Sequence, residues 1–368
     1  MQEVFSIVDG LGPEKVIHIH QPSLGLKAIV VVDNTAAGPA IGGTRMAPDV
    51  TLEECARLAR AMTFKNAAAG LAHGGAKSVI FGDPAMPRER KEAIIRAFAS
   101  AIRNIDEYIP GPDMGTDETA MAWVRDEIGR SVGLPRVVGG IPLDAIGATG
   151  WGLAAAAEAA QEFGGPKLAG ATLAVQGFGA VGQHTARFLA ERGARLIAAS
   201  DTHGTIADND GLDIAALIEL KKEGRSLNTH AKGRKLGRDE IVDIACDIWI
   251  PAARPDVLDK DNVRRLDTKL VLQGANIPAT QDAEQFLHDR GILVVPDFIA
   301  NAGGVICAAV EYHGGSEATA LTVIAEKISR NTREVLRHAQ DRGVQPRVAA
   351  TALAERRVRE AMMLRRWR

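Results

Sequence analysis

The chain has 368 residues, more than one average domain, so we expect two domains. Its formal net charge of −2 gives no general attraction for nucleic acid or an anionic membrane. Cys55, Cys246 and Cys307 lack metal-ligand spacing, so we expect reduced thiols of a cytoplasmic protein and no metal. The first residues do not read as a secretory signal, and no apolar run approaches the roughly 18 residues of a membrane span.

The opening third predicts short strands mixed with helices. His18 and His20 alternate with isoleucines, which is typical of one face of a strand. Thr51 is predicted to cap a helix, and the Gly74-Gly75 pair is predicted to break the chain before an apolar strand. The predicted elements are a strand over 26–33, a helix over 51–69, a strand over 78–81 and a helix over 91–105.

Beyond Gly139-Gly140 the pattern changes to short apolar strands separated by helices. Such alternation predicts a parallel sheet covered by helices. The predicted strands are 171–176, 195–200, 248–252, 270–272 and 292–295, and the predicted helices are 150–162, 181–192, 214–223, 283–290 and everything from 316 on. We therefore predict an α/β protein with a cleft between two domains, residues 1–138 joined by helices of 335–368, and a Rossmann domain over 139–334.

Residues Gly177-Phe-Gly179-Ala180-Val181-Gly182 form a G-x-G-x-x-G motif between a predicted strand and a predicted helix. This context favours a dinucleotide site, because the glycines allow a tight turn, close approach of a pyrophosphate and close helix packing. The next strand ends at Asp201, 19 residues after Gly182. A carboxylate there accepts ribose hydroxyls and repels a 2′-phosphate, so NAD is predicted over NADP.

Two lysines and one acid stand out in the opening third. Lys65 is flanked by apolar and small residues, Lys77 follows Gly-Gly-Ala, and Asp113 lies between Pro and Met-Gly in a predicted rigid loop. A lysine in such surroundings is costly unless it meets an anion. Each residue taken singly also has a structural explanation, as a snorkelling lysine, a solvent-facing lysine or a turn acid.

The chain resembles the glutamate/leucine/phenylalanine/valine dehydrogenase family from about residue 25 to 315. The resemblance rests on collinear motifs whose order and spacing match the family. They are Gly38-Pro-Ala-Ile-Gly-Gly-Thr-Arg-Met46, Met62-Thr-Phe-Lys-Asn-Ala-Ala-Ala-Gly-Leu71, Gly74-Gly-Ala-Lys77, Gly111-Pro-Asp-Met-Gly115, Ala148-Thr-Gly150, Gly177–Gly182, Gly274-Ala-Asn276 and Pro296-Asp-Phe-Ile-Ala-Asn-Ala-Gly-Gly-Val305.

The resemblance implies oxidative deamination of an L-α-amino acid to a 2-oxo acid and ammonia. Lys65 would then pair with the substrate carboxylate beside Gly42 and Gly43. Lys77 would activate the water that attacks an iminium intermediate, and Asp113 would carry protons to and from the substrate nitrogen. Thr149, Asn276 and Asn301 would border the nicotinamide end of the cofactor.

A free lysine titrates near about 10.4, too high for a general base at neutral pH. Burial and a second cation both disfavour a charged lysine, so we expect Lys65 to help keep Lys77 neutral.

The side-chain pocket implied by the resemblance consists of Ile41, Gly111, Val305 and Ala308. Glutamate-binding members have a lysine and a serine where this chain has Ile41 and Ala308. An isoleucine cannot neutralise a buried carboxylate, so we expect an apolar substrate such as leucine, valine or phenylalanine. Glutamate stays open as the alternative, because the stretch from Asp201 to Ile206 is closer to glutamate-type members.

Three alternative functions can be compared with the sequence. A non-catalytic NAD-binding regulatory protein would lack the two lysines and the acid, and a malic-type or hydroxy-acid dehydrogenase would need a metal site or a His–Asp pair. The basic end of the chain, 356–368, reads as an amphipathic helix with a solvated face, so no nucleic-acid partner is expected. Because members of the family are oligomers, we expect a homo-oligomer, with an amino acid or 2-oxo acid and ammonia as its small-molecule partners.

Overall fold

The computed structural model describes residues 5–366, which divide into two compact units. The first comprises the described residues up to Leu143, Val305–Ala320 and those from Thr351 onwards. The second comprises Asp144–Gly304 and Leu321–Ala350. Residues 367–368, part of the predicted basic end, lie outside the described residues. Within residues 5–366 no helix is both long and apolar enough to span a membrane.

The first unit is built on a five-stranded mixed sheet. Its strands are β1 (Lys15–Gln21), β2 (Leu26–Asn34), β3 (Ala40–Ala47), β4 (Gly74–Phe81) and β5 (Tyr108–Pro112). Their order is β1-β2-β4-β3-β5, and β3 runs parallel to both of its neighbours. The helices are α1 (Leu52–Ala68), α2 (Arg88–Ala101) and α3 (Glu118–Ile128).

Strand β2 is apolar from Ala28 to Val32, and its side chains there are buried on both faces of the sheet. Val30 and Val32 pack into one core with residues of α2 and α3 such as Phe98. Ile29 and Val31 point the other way, into a second core with Cys55 and Ala59 of α1. Because successive side chains of a strand alternate between faces, a strand covered on both sides must be hydrophobic at every position.

The predicted helix and strand signals of this unit are confirmed, with two corrections. Thr51 caps α1 by accepting a hydrogen bond from the backbone N–H of Glu54. Gly74 and Gly75 do not break the chain but begin β4, where a Cβ on Gly75 would lie 2.0 Å from the Thr63 nitrogen. The predicted rigid loop before Asp113 is instead strand β5, which tolerates its prolines because it lies at the sheet edge.

The second unit contains a seven-stranded sheet. Its strands are β6 (Thr172–Gln176), β7 (Arg195–Ser200), β8 (Thr205–Ala207), β9 (Arg234–Leu236), β10 (Ile248–Pro251), β11 (Leu270–Leu272) and β12 (Leu293–Val295). The helices are α4 (Ala148–Ala160), α5 (Ala180–Ala190), α6 (Ile214–Lys222), α7 (Gln281–Asp289) and α8 (Asp297–Ala300). The last three helices, α9 (Gly303–Tyr312), α10 (Glu317–Arg342) and α11 (Pro346–Met363), are divided between the units.

The order of this sheet, β12-β11-β10-β6-β7-β8-β9, confirms the predicted parallel sheet and creates a switch point. The chain proceeds outward from β6 to β7 and then returns to place β10 on the other side of β6. Ligands of such sheets bind beyond the carboxyl ends of the strands at this reversal. The antiparallel strands β8 and β9 at one end of the sheet were not predicted. The equally short β11 and β12 are continuous apolar runs, whereas β9 begins with Arg234 and Lys235 and gives no such signal.

A buried hydroxyl network holds the three parallel strands of the first unit together. The Tyr108 hydroxyl lies 2.8 Å from Ser78 Oγ and 3.2 Å from Thr44 Oγ1, and it donates to the Gly42 carbonyl oxygen at 3.2 Å. Each of these groups is buried, so its partner cannot be replaced by water.

We predict that Tyr108→Phe lowers the free energy of unfolding by about 1–3 kcal/mol, because the buried Thr44, Ser78 and Gly42 groups lose their bonds to Tyr108 and only the Ser78–Thr44 bond remains. Urea denaturation measures this loss. Tyr312→Phe removes the hydroxyl of a partly buried tyrosine and serves as the control. Equal stability of the two variants would show that the network contributes nothing.

Candidate active site

The structure brings Lys77 and Asp113 together over the middle of the first sheet. Lys77 lies in β4 and Asp113 directly follows β5, while β3 runs between these strands. The Lys77 Nζ and Asp113 Oδ2 atoms are 2.8 Å apart. The lysine side chain is 7% exposed and the aspartate side chain 22%, so the ion pair is shielded on the lysine side and reachable on the other.

The two glycines of β3 make this contact possible. A Cβ on Gly43 would lie 3.0 Å from Lys77 Nζ and 2.9 Å from Asp113 Cβ, so any side chain there would push into the pair. A Cβ on Gly42 would lie 1.7 Å from the Ala76 carbonyl oxygen. These close approaches are what a backbone without side chains permits.

Arg45, which was not among the predicted site residues, completes the charged cluster. Its Nε donates to Asp113 Oδ2 at 2.9 Å, and its guanidinium also pairs with Glu54 of α1. Arg45 follows Gly43 by two residues, so the strand period places both on one face. The two-residue period of the strand, within the motif Gly38–Met46, is the signal that could have identified Arg45 as a site residue.

The charges around Asp113 decide its protonation state. Burial raises the pKa of this carboxyl, but the Lys77 ammonium and the Arg45 guanidinium outweigh burial and hold the pKa below its usual value. Asp113 is therefore ionised at neutral pH. The Thr116 hydroxyl fixes the loop that carries it by accepting from the Asp113 N–H at 3.0 Å and donating to the Thr44 carbonyl at 2.8 Å.

Lys65 lies in the last turn of α1 and is partly buried. The following residue, Asn66, ties this helix end to the sheet, since its amide nitrogen donates to the carbonyl oxygens of Gly74 at 2.6 Å and Ile41 at 3.2 Å. The end of α1 is thus anchored to β3 and β4, the strands that carry the glycines and Lys77.

The predicted pocket residues all lie in the first unit. Ile41 is buried in β3 on the same face as Gly43, two residues away. Gly111 of β5 pairs in register with Gly43, and a Cβ on it would lie 3.1 Å from Val132 Cγ2. Val305 and Ala308 are three residues apart on α9, which places them on one helix face.

The glycine motif of the second unit has the geometry that a dinucleotide needs. Gly177 has φ +94°, and Gly182 packs so closely that a Cβ would lie 2.1 Å from the Gly177 carbonyl oxygen. Gly179 has no other residue's atom within 4 Å of its Cβ position, and no side chain caps the N-terminus of α5, which begins at Ala180-Val181. Open space before uncapped backbone N–H groups suits a pyrophosphate.

Asp201 follows β7 and lies next to the glycine motif, because the N–H groups of Gly177 and Phe178 donate to the carbonyl of Ser200. Its carboxylate is already engaged within the protein. It accepts from the His203 and Leu227 N–H groups, each at 2.9 Å, from the Ser226 hydroxyl at 3.2 Å and from Lys221 Nζ at 3.1 Å. Such engagement was not foreseen from the sequence.

The residues expected at the nicotinamide end also lie in the second unit. Asn276 follows β11, and its Oδ1 accepts from Asn301 Nδ2 at 3.0 Å. Thr149, in the first turn of α4, lies beside Gly304, whose Cβ position is 3.7 Å from the threonine hydroxyl. The buried oxygens Asn301 Oδ1 and Gln176 Oε1 have no hydrogen-bond partner. These unsatisfied acceptors suit a bound group that supplies donors, such as a nicotinamide dinucleotide.

A histidine pair lies beside the strand that carries Lys77. His73 is buried, its Nδ1 is 2.9 Å from the Pro39 carbonyl oxygen, and its Nε2 is 3.0 Å from His313 Nε2. A carbonyl can only accept, so His73 carries its proton on Nδ1 and accepts through Nε2 from His313. Within residues 5–366 no group of three or more His, Cys, Asp or Glu residues is arranged to hold a metal ion.

Comparison with known proteins identifies the class that this fold and cluster define. The profile of the Glutamate/Leucine/Phenylalanine/Valine dehydrogenase family matches residues 139–366. The profile of the Glu/Leu/Phe/Val dehydrogenase dimerisation domain matches residues 13–130. The chain therefore belongs to this family and is an amino acid dehydrogenase, an oxidoreductase acting on a CH–NH₂ group.

Three relatives illustrate the range of the family. The NADP-specific glutamate dehydrogenase of Saccharolobus shibatae is 38% identical over 76% of this chain and 69% of its own. The hetero-hexameric glutamate dehydrogenase of Thermus thermophilus, in a leucine-bound form, superposes with a TM-score of 0.84 at 29% identity, covering 98% and 94% of the two chains. The L-tryptophan dehydrogenase of Nostoc punctiforme gives 0.77 at 27% identity, covering 98% and 99%.

We predict that acid destabilises the protein through His73. Burial lowers the pKa of His73, the Pro39 carbonyl opposes this shift, and His313 adds to it, so the folded state binds this proton less readily than the unfolded chain. The stability due to neutral His73 is present above the ordinary histidine pKa of about 6.5 and is lost as the pH falls below it.

Thermal midpoints at pH 7.5 and 5.0 measure the effect in wild type and His73→Gln. The variant should lose less stability on acidification, since glutamine does not titrate. His20→Gln, at an exposed site of strand β1, is the control and should behave as wild type. An identical pH dependence in wild type and His73→Gln would contradict the assignment.

Proposed function

We propose that this protein catalyses the NAD-dependent oxidative deamination of an apolar L-α-amino acid to its 2-oxo acid and ammonia. The observation that carries this proposal is the contact between Lys77 and Asp113, 2.8 Å apart over a glycine strand. One amine and one carboxylate at this distance can exchange a proton. Proton transfer is required both when the amino acid is oxidised to an iminium and when the iminium is hydrolysed. Because Lys77 is buried, the Lys77–Asp113 ion pair is also less exposed to water than an ion pair on the protein surface.

The residues of the first unit then act in sequence. Lys65 pairs with the substrate carboxylate, whose approach Gly42 and Gly43 leave open. The substrate amino group meets ionised Asp113, which accepts its proton. A bound nicotinamide dinucleotide supplies the hydride acceptor for the substrate Cα.

Water then adds to the resulting substrate iminium. Lys77 takes a proton from this water to give a carbinolamine, and Asp113 returns a proton to its nitrogen. The C–N bond then breaks as the C=O bond forms, ammonia leaves, and the hydroxyl proton passes to solvent. For the addition of water Lys77 must act as a neutral amine, although the Asp113 carboxylate lies 2.8 Å from its Nζ. We propose that the substrate frees the lysine, because a substrate ammonium group that binds Asp113 competes with Lys77 for the carboxylate.

The apolar substrate is proposed from Ile41 and Ala308. A distal carboxylate placed beside buried Ile41 would lose its hydration without gaining a cation from this position. Glutamate is the second candidate, since two of the three relatives described are glutamate dehydrogenases. The likeness to an L-tryptophan dehydrogenase over nearly the whole chain shows that this fold also occurs in an enzyme named for an apolar amino acid.

NAD is proposed as the preferred cofactor because Asp201 is ionised. Burial raises the pKa of Asp201, but the Leu227 and His203 N–H groups and Lys221 outweigh burial and lower it. Its negative charge opposes a 2′-phosphate, although Lys221 offsets part of that charge. An assembly of several copies is proposed from the dimerisation-domain match and the hexameric relative.

The catalytic assignment predicts that Lys77→Ala lowers turnover by about 10²–10⁴-fold, the usual contribution of a positioned acid–base group. NADH affinity, measured by fluorescence titration, should stay as in wild type. Lys27→Ala, an exposed lysine in strand β2 of the same sheet, is the matched control and should retain full turnover. Turnover of Lys77→Ala within a few-fold of wild type would refute the role.

The substrate assignment predicts that NADH oxidation with ammonia is faster with branched-chain or aromatic 2-oxo acids than with 2-oxoglutarate. The same assay with NADPH in place of NADH measures the cofactor preference. Faster reaction with 2-oxoglutarate would replace the apolar proposal by the glutamate candidate. No reaction with any 2-oxo acid would favour a regulatory protein that binds NAD without turnover.

A further inference from the structure

Two strained residues face each other across the ligand-binding edge of the second sheet. Within residues 5–366, Asp256 (φ 51°) and Ile277 (φ 47°) are the non-glycine residues with positive φ. For a β-branched residue this conformation is a genuine outlier, and such strain persists only where the surroundings impose it. Ile277 is also 59% exposed, so core packing of its side chain does not explain the conformation.

Hydrogen bonds of the backbone explain how the conformation is held. The Asp256 N–H donates to the Ile277 carbonyl at 2.9 Å, joining the loop after β10 to the loop after β11. The Ile277 N–H donates to Asp297 Oδ2 at 2.7 Å. Both polar groups of the Ile277 backbone are therefore fixed, and the preceding residue is Asn276.

Asp297 is in turn held by a buried ionic cluster. Arg347 Nη2 lies 2.9 Å from Asp297 Oδ1, and Arg347 Nε donates to Glu284 Oε2 at 2.6 Å. Gln273 joins the two sides, since its Oε1 accepts from Arg347 Nη2 at 2.9 Å and from the Asp297 N–H at 3.0 Å. Asp297 and Glu284 are almost fully buried, so Arg347 supplies the positive charge that makes this pair of acids tolerable.

We propose that Arg347 is a positioning residue for the nicotinamide end of the cofactor, acting through Asp297 on the strained Asn276–Ile277 turn. The arginine neutralises Asp297 and holds it against the turn, and the turn sets the direction of the Asn276 amide. Asn301 orients the same amide from the other side by donating to its Oδ1 at 3.0 Å. This inference rests on the proposed function in that it assigns the nicotinamide end of the cofactor to Asn276.

Binding of NADH and of ADP-ribose, which lacks the nicotinamide ring, tests the proposal in the full-length protein. Arg347→Gln should weaken NADH binding by about tenfold, the equivalent of one well-placed hydrogen bond. The dissociation constant for ADP-ribose should change by less than about twofold, because the glycine motif is not altered. Arg347→Lys keeps the charge and should recover part of the NADH affinity.

Two further variants guard against a folding defect and against a general effect of losing an arginine. If Arg347→Gln fails to fold, the double variant Glu284→Gln/Arg347→Gln neutralises one of the two acids that lose their partner and should show the same selective loss. Arg333→Gln breaks a surface ion pair of the same unit, 2.8 Å from Glu162, and should bind both ligands as wild type does.

The outcomes separate this proposal from the proposed function. Selective loss of NADH affinity supports the positioning role. Equal weakening of NADH and ADP-ribose, or no weakening of either, overturns it and leaves the proposed function intact. Failure of the wild-type protein to bind either ligand overturns both.

Discussion

The contact between Lys77 and Asp113 depends on a strand that has no side chain where the two groups meet. Three parallel strands, β4, β3 and β5, set the spacing, and Gly43 leaves the gap that the lysine amine and the carboxylate share. The hydroxyl network around Tyr108 holds the same strands from inside the core. The chemistry of the site and the packing of the sheet are therefore one constraint, since a side chain at Gly43 would disturb both.

Charge balance sets the protonation state of Asp113 in this cluster. Asp113 faces two cations, Lys77 and Arg45, and Arg45 also pairs with Glu54, so the positive charge around the carboxylate is partly shared. A carboxylate in this setting stays ionised and can receive a cationic amine without a large electrostatic penalty. Since the lysine side is shielded and the aspartate side is reachable, the proposed substrate amine would meet the acid first.

In the second unit, too, the backbone geometry at the carboxyl ends of the strands depends on residues that would not contact the proposed cofactor. The glycine turn after β6 is open because no side chain fills it, whereas the Asn276–Ile277 turn is strained and must be held. Arg347 and Asp297 hold it from α11 and α8. At Asp201 the roles are reversed: this predicted cofactor-site residue itself holds the surrounding loops, because its carboxylate accepts hydrogen bonds from four donors of the protein.

The sequence by itself determined the elements and residue types that depend on local order. These include the capped helix α1, the parallel strands of the second sheet and the glycine turn between β6 and α5, because capping, period and turn glycines are local signals. It also indicated Lys65, Lys77 and Asp113 as unusual residues.

Only the tertiary structure decided which of these residues meet. The strand period places Arg45 on the face of Gly43 but does not reveal its partner Asp113, which lies 68 positions away in the chain. Arg347 carries no local signal, and its partner Asp297 lies 50 positions away. Gly74 and Gly75 read as a chain break yet lie in a strand. They are glycines because Asn34 at the end of β2 leaves no room for a side chain at Gly74, and Thr63 of α1 leaves none at Gly75. Contacts of this kind depend on how strands and helices pack, and packing joins residues whose separation along the chain leaves no period to detect.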